Sequence, residues 1–166
     1  MSDITDDSTT FDSAKFRQVL GHFPTGVTVI TARDGDEPIG MAVGSFSSLS
    51  LDPPQVLFCA GHGSSTWPRI RAHGSFCVNI LADTQEDVSR VFASKAADKF
   101  AGIGHRPSRN GNPLLEGVLG YVDCTLTDVV DSGDHAIVIG TVDDLDVLHE
   151  GRPLVFFRGG YGRFAV

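Results

Sequence analysis

The sequence has few cysteines, and their arrangement excludes several kinds of site. Its three cysteines, Cys59, Cys77 and Cys124, stand far apart in apolar runs and form no Cys-x-x-Cys. An odd number of scattered thiols argues against disulfides, a zinc site and thioredoxin-type redox chemistry, and favours a reducing cytoplasm. The six histidines show no metal-ligand spacing, so we expect no metal centre.

Positive charge and long apolar runs are also scarce. The chain has 13 Lys and Arg against 21 Asp and Glu, a formal net charge of −8, with no basic cluster. This balance disfavours nucleic acid and an anionic membrane surface as partners. No apolar run approaches the ~20 residues of a transmembrane helix, and the first residues do not resemble a signal peptide. We therefore expect a cytoplasmic protein with no membrane partner.

Three common nucleotide and hydrolase motifs are absent. The sequence contains no Gly-x-Gly-x-x-Gly after a strand, no phosphate-binding Gly-x4-Gly-Lys-Ser/Thr and no Gly-x-Ser-x-Gly. A Rossmann domain, a P-loop protein and an α/β-hydrolase are therefore disfavoured. With 166 residues, 41% of them hydrophobic, the chain suits one domain. Residues 1–10 are acidic and rich in Ser and Thr and are predicted to form a disordered tail, so the domain spans 11–166.

The hydrophobic pattern predicts a mainly β protein. Apolar residues at Phe16, Val19, Leu20 and Phe23, after a cap at Asp12 or Ser13, predict a short packing helix. Two further helices are expected over 66–73 and after Thr84, where Thr84 and Asp87 match a capping box. Apolar and β-branched runs predict strands over 27–31, 39–50, 55–60, 76–81, 120–130, 135–148 and 153–157. Many short strands with a few inserted helices favour a closed or nearly closed β-barrel.

Small residues crowd the predicted strand Gly40–Ser50. Glycine and serine fill core volume poorly, so a flat aromatic ligand lying against exposed backbone would explain them. A strand at a barrel corner with its serines in water explains them equally well. Both interpretations stay open on the strand alone.

Three other stretches carry possible site residues. Ser64, Ser65 and Thr66 precede a predicted helix, where hydroxyls and free backbone N–H groups can bind an anion and Arg69 or Arg71 can add charge; ordinary capping by Thr66 is the alternative. His135 follows a turn, where it either orients a substrate amide or acts as a structural hydrogen-bonding group. The glycine-rich end around Tyr161 permits close approach and stacking, or is a plain tail.

In these motifs the sequence resembles the flavin reductase-like family with the FMN-binding split β-barrel. The resemblance runs from about Phe16 to Phe164. It rests on Phe23-Pro24-Thr25-Gly26-Val27, on the stretch from Gly40 to Pro54, on Ser64-Ser65-Thr66, on Phe76 to Leu81, and on Gly133-Asp134-His135 with the closing Gly-Gly-Tyr. The resemblance implies a split barrel of Greek-key type and a small reductase component of a two-component flavin monooxygenase.

The same resemblance implies a set of site residues. The strand and its continuation would line the flavin ring and ribityl chain, the Ser-Ser-Thr turn would hold phosphate, and His135 with the C-terminal residues would face the nicotinamide nucleotide. His135 is the catalytic candidate. Gly44 departs from the Asn of many relatives, so backbone would replace a side-chain contact there. The cofactor-binding candidates are Met41, Ala42, Val43, Gly44, Ser45, Ser47, Ser64, Ser65, Thr66, Asn79, Lys99, Phe100, His135, Tyr161 and Arg163.

The implied function is an NAD(P)H:flavin oxidoreductase. FMN or FAD would accept hydride from NADH or NADPH, with backbone N–H groups of Met41 to Ser45 supporting the reduced ring. The family also implies a homodimer and a separate monooxygenase that receives reduced flavin. The alternative is a split-barrel protein that binds flavin for electron transfer without nicotinamide. A pyridoxal-phosphate-type oxidase on the same architecture is a third reading.

Overall fold

The computed structural model describes residues 11–165, so the tail predicted at 1–10 lies outside the described residues. Within them the chain forms three α-helices: α1 (Ser13–Leu20), α2 (Trp67–His73) and α3 (Glu86–Ala93). The strands are β1 (Thr25–Gly26), β2 (Thr28–Asp34), β3 (Glu37–Val43), β4 (Ser47–Leu51), β5 (Pro54–Gly61), β6 (Ser75–Ile80), β7 (His105–Pro107), β8 (Pro113–Leu115), β9 (Gly120–Ser132), β10 (His135–Val147), β11 (Leu154–Phe157) and β12 (Gly160–Arg163).

One large antiparallel sheet dominates the described part of the chain. Its seven strands follow the order β3-β2-β6-β9-β10-β5-β4, so β3 and β4 are the two ends of the ladder. β1, β11 and β12 form a smaller sheet, and β7 pairs with β8. The predicted mainly β class is confirmed. None of the helices within residues 11–165 is long and apolar enough to cross a membrane.

The sheet separates two hydrophobic cores. The first holds Phe58 in edge-to-face contact with Trp67 and Phe76, whose ring centroids lie 6.1 and 5.2 Å from that of Phe58, respectively. The second holds Phe92 and Phe100, whose centroids lie 5.0 Å apart, under α3. Edge-to-face aromatic pairs add packing energy beyond the buried area. Both cores therefore anchor helices beside the long strands.

The helix starts show where local signals succeed and fail. Asp12 caps α1 as predicted, its carboxylate accepting from the Ala14 N–H at 2.9 Å. The predicted capping box at Thr84 is wrong: α3 begins at Glu86, and Gln85 uses its side-chain oxygen to accept from the Ala82 N–H. The prediction that α1 packs on the core is also wrong, because no residue of Ser13–Leu20 is buried.

Two strand predictions need correction. The run 39–50 is two strands, because the chain leaves β3 after Val43 and begins β4 only at Ser47. The alternation along β9, with Asp123, Thr125 and Thr127 on one side, predicts a solvent-exposed face, but Asp123 is fully buried. Its carboxylate accepts hydrogen bonds from the Asn110 N–H at 2.7 Å and the Asn112 amide at 3.0 Å. Paired donors of this kind compensate the cost of burying the charge.

Candidate functional site

A cleft of about 1000 Å³ opens beside β3. One wall is the strand itself from Glu37 to Ala42, and one end is the turn from Gly63 to Thr66 with Arg69 of α2. A further wall is the end of α3 and the segment after it, residues 92–100. This volume is at the upper end of the range for small-molecule sites.

The backbone of β3 faces the cleft at alternate residues. The Gly40 carbonyl accepts from Lys99 Nζ at 3.3 Å, so it points away from β2. Residues two apart on a strand direct their N–H and C=O groups to the same side, which places those of Ala42 on the cleft side as well. Val43 points the other way, since its carbonyl accepts from the Thr28 hydroxyl at 2.9 Å. The expected continuous run of donors from Met41 to Ser45 is therefore reduced to alternate positions.

The turn before α2 differs from the expected anion site. Ser64 Oγ accepts from the N–H groups of Thr66 and Trp67, both at 3.2 Å. Pro68 has no N–H, and the N–H groups of Arg69 and Ile70 donate to the Thr66 carbonyl. The expected free backbone N–H groups are therefore not found from Thr66 to Ile70, and Ser64 caps the turn.

Ser65 and Thr66 remain open to the cleft. Both line it, and the Thr66 side chain makes no capping hydrogen bond, which also overturns the alternative reading of Thr66 as the cap. Hydroxyl groups that face a cleft are suitable donors for phosphate oxygens. The polar end of the cleft is thus built from side chains rather than from helix N–H groups.

Lys99 joins the two walls of the cleft. Its ammonium donates to the carbonyls of Gly40 at 3.3 Å and Phe92 at 3.1 Å. Partial burial lowers the pKa of Lys99 from its usual range. Phe92 packs tightly behind the strand, because a Cβ at Gly40 would lie 2.7 Å from its ring. Gly40 is therefore required for the strand to lie against this aromatic wall.

Arg69 closes the polar end of the cleft through an ion triad. Its Nε lies 2.6 Å from Asp34 Oδ2, and its Nη2 lies 2.5 Å from Glu37 Oε2. Hydrogen bonding to Asp34, and then to Glu37, raises the pKa of Arg69, while burial opposes the shift. The two carboxylates are cross-strand partners at the β2–β3 turn. The triad therefore ties this hairpin to α2.

A second pocket of about 200 Å³ lies against the end of β3. It shares Ala42 with the cleft and is lined further by Val27, Val43, Gly44, Ser89, Phe156 and Tyr161. The hydroxyls of Tyr161 and Ser89 lie 2.8 Å apart, and the Arg90 guanidinium lies 4.9 Å from the centre of the Tyr161 ring. The pocket is mostly apolar and is the size of a single aromatic ring.

His135 stands at the opposite end of the Gly61–Ser64 turn. Its Nδ1 lies 2.7 Å from Asp134 Oδ1, and hydrogen bonding to His135 lowers the pKa of Asp134. The other ring nitrogen, Nε2, lies 3.5 Å from the place a Cβ at Gly61 would take. The carboxylate partner thus fixes the ring orientation, and Nε2 is the nitrogen left for a ligand.

The structure brings most of the candidate residues together, in two groups. The cleft contains Met41, Ala42, Ser64, Ser65, Thr66, Lys99 and Phe100. The small pocket contains Ala42, Val43, Gly44 and Tyr161. Outside both lie Ser45, Ser47, Asn79, His135 and Arg163.

Two of the outlying candidates have clear structural roles. Asn79 is fully buried; its amide donates to the Val29 carbonyl and the Thr31 hydroxyl, both at 3.0 Å, and accepts from the Leu115 N–H at 2.8 Å. Its amide groups therefore bond to other parts of the protein interior, and Asn79 does not line the cleft. Ser45 Oγ bonds to the backbone of Cys59, accepting from its N–H at 2.9 Å, and thereby extends the β4–β5 pairing.

Sequence reasoning missed part of the cleft wall. Glu37, Phe92 and the segment 93–98 line the cleft, yet none was a candidate. The run Ala96-Ala97 was a usable signal, because small residues permit close approach of a ligand. The pairing of Arg69 with Asp34 and Glu37 joins residues more than 30 positions apart and has no local signal.

The residues present fit a flat ring with a phosphorylated chain. The outer edge of β3, the end strand of its sheet, offers backbone donors and acceptors to a planar heterocycle, and the hydroxyls of Ser65 and Thr66 line the same cleft. A lysine and aromatic rings complete its walls. The fold and the cleft together define a small barrel protein that binds a flavin-like molecule at a sheet edge.

Comparison with known proteins gives the family. A family model described as "Flavin reductase like domain" matches residues 20–165. A flavin reductase of Pseudomonas putida is 52% identical over 155 residues, covering 93% of this chain and 91% of that protein. A structure of a nitrilotriacetate monooxygenase component B homologue from Mycobacterium thermoresistibile superposes with a TM-score of 0.90 at 49% identity, covering 92% of this chain and 86% of that one.

A third relative was solved with fragments of both cofactors. The NADH:FAD oxidoreductase SgcE6 of Streptomyces globisporus, in complex with NAD and FAD fragments, has a TM-score of 0.88 at 36% identity and covers 93% of each chain. The chain belongs to the flavin reductase-like family. The predicted family and the split-barrel fold class are confirmed.

Proposed function

We propose that this protein oxidises NADH or NADPH, reduces FMN or FAD in the cleft beside β3, and supplies reduced flavin to a separate monooxygenase. The predicted enzyme class, an NAD(P)H-dependent flavin reductase, is confirmed by its relatives. The observation that carries the assignment is the cleft itself: β3, an end strand of the large sheet, lines it together with the hydroxyl residues Ser65 and Thr66.

Each part of the cleft has a task in this proposal. The backbone groups of Gly40 and Ala42 on the cleft side meet the polar edge of the flavin ring, and the small side chain of Ala42 lets it approach. Lys99 lies on the same strand edge, where its charge stabilises an electron-rich ring. Ser65 and Thr66 hold the phosphate. When bound, the flavin accepts hydride from the nicotinamide nucleotide and carries the electrons to the oxygenase.

The protein's own contribution is positioning. The walls of the cleft hold the ring against β3, so that one face is covered by protein and the other is left for the nicotinamide. Asp134 holds His135 in one orientation at the end of the Gly61–Ser64 turn, where Nε2 can bind the nicotinamide nucleotide. Tyr161 and Arg163 are proposed to border the same nucleotide, with Tyr161 fixed by Ser89. No protein nucleophile takes part.

A turnover assay separates this function from a passive flavin carrier. The purified protein should oxidise NADH or NADPH under nitrogen only when FMN or FAD is present, with one flavin reduced per nicotinamide oxidised. Flavin binding without turnover from either nucleotide would leave the alternative, an electron-transfer or storage protein. Absence of both binding and turnover would refute the site.

Replacing His135 with alanine should lower kcat/KM for the nicotinamide nucleotide by about five- to tenfold, the effect of losing one hydrogen bond of about 1 kcal/mol in the bound complex. The Kd of the flavin should stay within twofold, because His135 lies outside the cleft. Steady-state kinetics at saturating flavin and flavin fluorescence titration measure the two quantities.

His62 provides the matched control for this variant. It is a neighbouring histidine at the same turn, and its Nε2 lies 3.7 Å from Asp131 Oδ1. His62→Ala should leave kcat/KM unchanged. An unchanged value for His135→Ala, or an equal loss in both variants, would remove His135 from the nucleotide site.

We further propose that the protein is a homodimer that buries the α1 patch, formed by Phe16, Val19, Leu20, Phe23 and Phe157. The four residues of α1 and the turn after it are each more than half exposed. The Arg158 N–H donates to the Gly21 carbonyl, which joins Phe157 to the end of the helix. An eight-residue helix that buries none of its residues needs a partner surface for stability, and large exposed apolar patches are typical of interfaces.

Substitution on α1 tests the dimer. Leu20→Glu places a charge in the patch and should convert a dimer into a monomer, measured as mass by light scattering over a range of concentrations. Gln18→Glu adds the same charge to the opposite face of the helix and should leave the mass unchanged. A wild-type monomer, or a Leu20→Glu dimer as tight as wild type, would contradict this interface.

A further inference from the structure

The polar end of the cleft holds a cation that is already paired with two carboxylates. Arg69 lines the cleft one turn after Ser65 and Thr66, where a phosphate would attract a guanidinium. Its Nε and Nη2 are taken instead by Asp34 and Glu37 at 2.6 and 2.5 Å. One positive and two negative charges leave this group with a net charge of −1.

The two carboxylates that bind Arg69 come from one hairpin. Asp34 ends β2, Glu37 begins β3, and the two are cross-strand partners in the hairpin register. They therefore reach the guanidinium from one turn and occupy two of its edges. Glu37 also lines the cleft, so its charge lies beside any ligand bound there.

We propose that Asp34 and Glu37 withhold Arg69 from the flavin phosphate and so set the affinity of the site. This inference rests on the proposed function, because it places the phosphate at Ser65 and Thr66. The hydroxyls provide the phosphate with hydrogen bonds, while the triad, with its net charge of −1, gives it no full ionic partner. A phosphate monoester carries close to two negative charges at neutral pH and gains little from a group of net charge −1.

The consequence concerns the release of the flavin. A reductase that passes reduced flavin to a separate oxygenase has to let it leave, and affinity differences between related complexes arise mainly in dissociation rates. Asp34 and Glu37 therefore lower the affinity of the cleft for the phosphorylated flavin, so that the flavin can dissociate.

The test compares FMN with riboflavin, which has the same ring and chain but no phosphate. The measured quantity is the ratio of the riboflavin Kd to the FMN Kd. Asp34→Asn with Glu37→Gln should raise this ratio by about fivefold, the size expected when a partly exposed guanidinium gains a phosphate partner. The increase should shrink as salt is added, because the new attraction is between partly exposed charges.

Two further variants show whether the effect acts through Arg69. The same carboxylate changes are also made in an Arg69→Gln background. There the ratio of the two Kd values should equal that of Arg69→Gln alone, and the difference between the two backgrounds gives the coupling in a double-mutant cycle. Asp36→Asn removes one negative charge from the same turn; Asp36 lies near Arg33 and makes no pair with Arg69 among the described residues, so the ratio should stay unchanged. Riboflavin binding and thermal unfolding check that each variant is folded.

The outcomes separate this inference from the proposed function. An unchanged ratio in the Asp34→Asn, Glu37→Gln variant overturns the inference, and so does a gain that persists without Arg69, since the carboxylates would then repel the phosphate directly. A wild-type protein that binds neither flavin overturns the proposed function and this inference with it. Wild-type turnover with an unchanged ratio overturns the inference alone.

Discussion

Replacing Phe92 with alanine should lower the free energy of unfolding by about 3–5 kcal/mol. Phe92 is 1% exposed, packs edge-to-face on Phe100 and supports the cleft wall behind Gly40. Its removal leaves a cavity that the surrounding strands cannot fill. The loss corresponds to a fall of about 10 °C in Tm for a domain of this size, measured by calorimetry or by circular dichroism.

Two comparisons make this prediction specific. Leu51→Ala removes an apolar side chain that is 95% exposed and should change stability by less than about 0.5 kcal/mol. Gly40→Ala places a Cβ 2.7 Å from the Phe92 ring and should cost about 1–3 kcal/mol, but little in the Phe92→Ala background. Equal costs of Gly40→Ala in both backgrounds would show that the two residues do not pack as described.

Replacing Ser65 and Thr66 together with alanine should raise the Kd of FMN by roughly 30-fold. The estimate assigns about 1 kcal/mol to each hydroxyl–phosphate hydrogen bond at this half-exposed turn. The Kd of riboflavin should stay within twofold, because in the proposed site the ring contacts β3 and not the turn. Fluorescence titration with the two flavins measures both values.

The control for this variant is another serine with its side chain away from the cleft. Ser48 is exposed on β4 and lies outside both cavities, so Ser48→Ala should bind FMN like wild type. An equal weakening of FMN and riboflavin in the Ser65→Ala, Thr66→Ala variant would mean that the turn supports the fold of the site and does not hold the phosphate.

The local sequence pattern predicted the positions of helices and strands better than the contacts that their side chains make. The Asp12 cap and the end of α2 at Gly74, which takes a left-handed φ of 81°, are signals carried by a few neighbouring residues. The capping box at Thr84 failed because Gln85, whose amide donates to the distant Glu116 carbonyl and accepts from the nearby Ala82 N–H, takes the N-cap position before Glu86 instead. Short-range chemistry is overruled where a side chain finds a partner from another part of the fold.

The candidate site shows the same division. Four candidates line the cleft: Met41, Ala42, Ser65 and Thr66. They could be chosen from the sequence because they lie in recognisable motifs. Asn79 lies in an equally recognisable strand, yet its amide points into the second core and is fully bonded there. Strand periodicity gives the face of a side chain only when the neighbours on each face are known.

By itself the sequence determined that the chain is mainly β, since strand periodicity is a property of neighbouring residues, and its ordered motifs carried the resemblance to the flavin reductase-like family. Only the tertiary structure decided which groups meet at the cleft. It placed Phe92 behind Gly40, and it paired Arg69 with Asp34 and Glu37 across 35 and 32 residues of chain. Such contacts depend on how the sheet closes and how α2 and α3 lie against it, and no local pattern in the chain encodes that geometry.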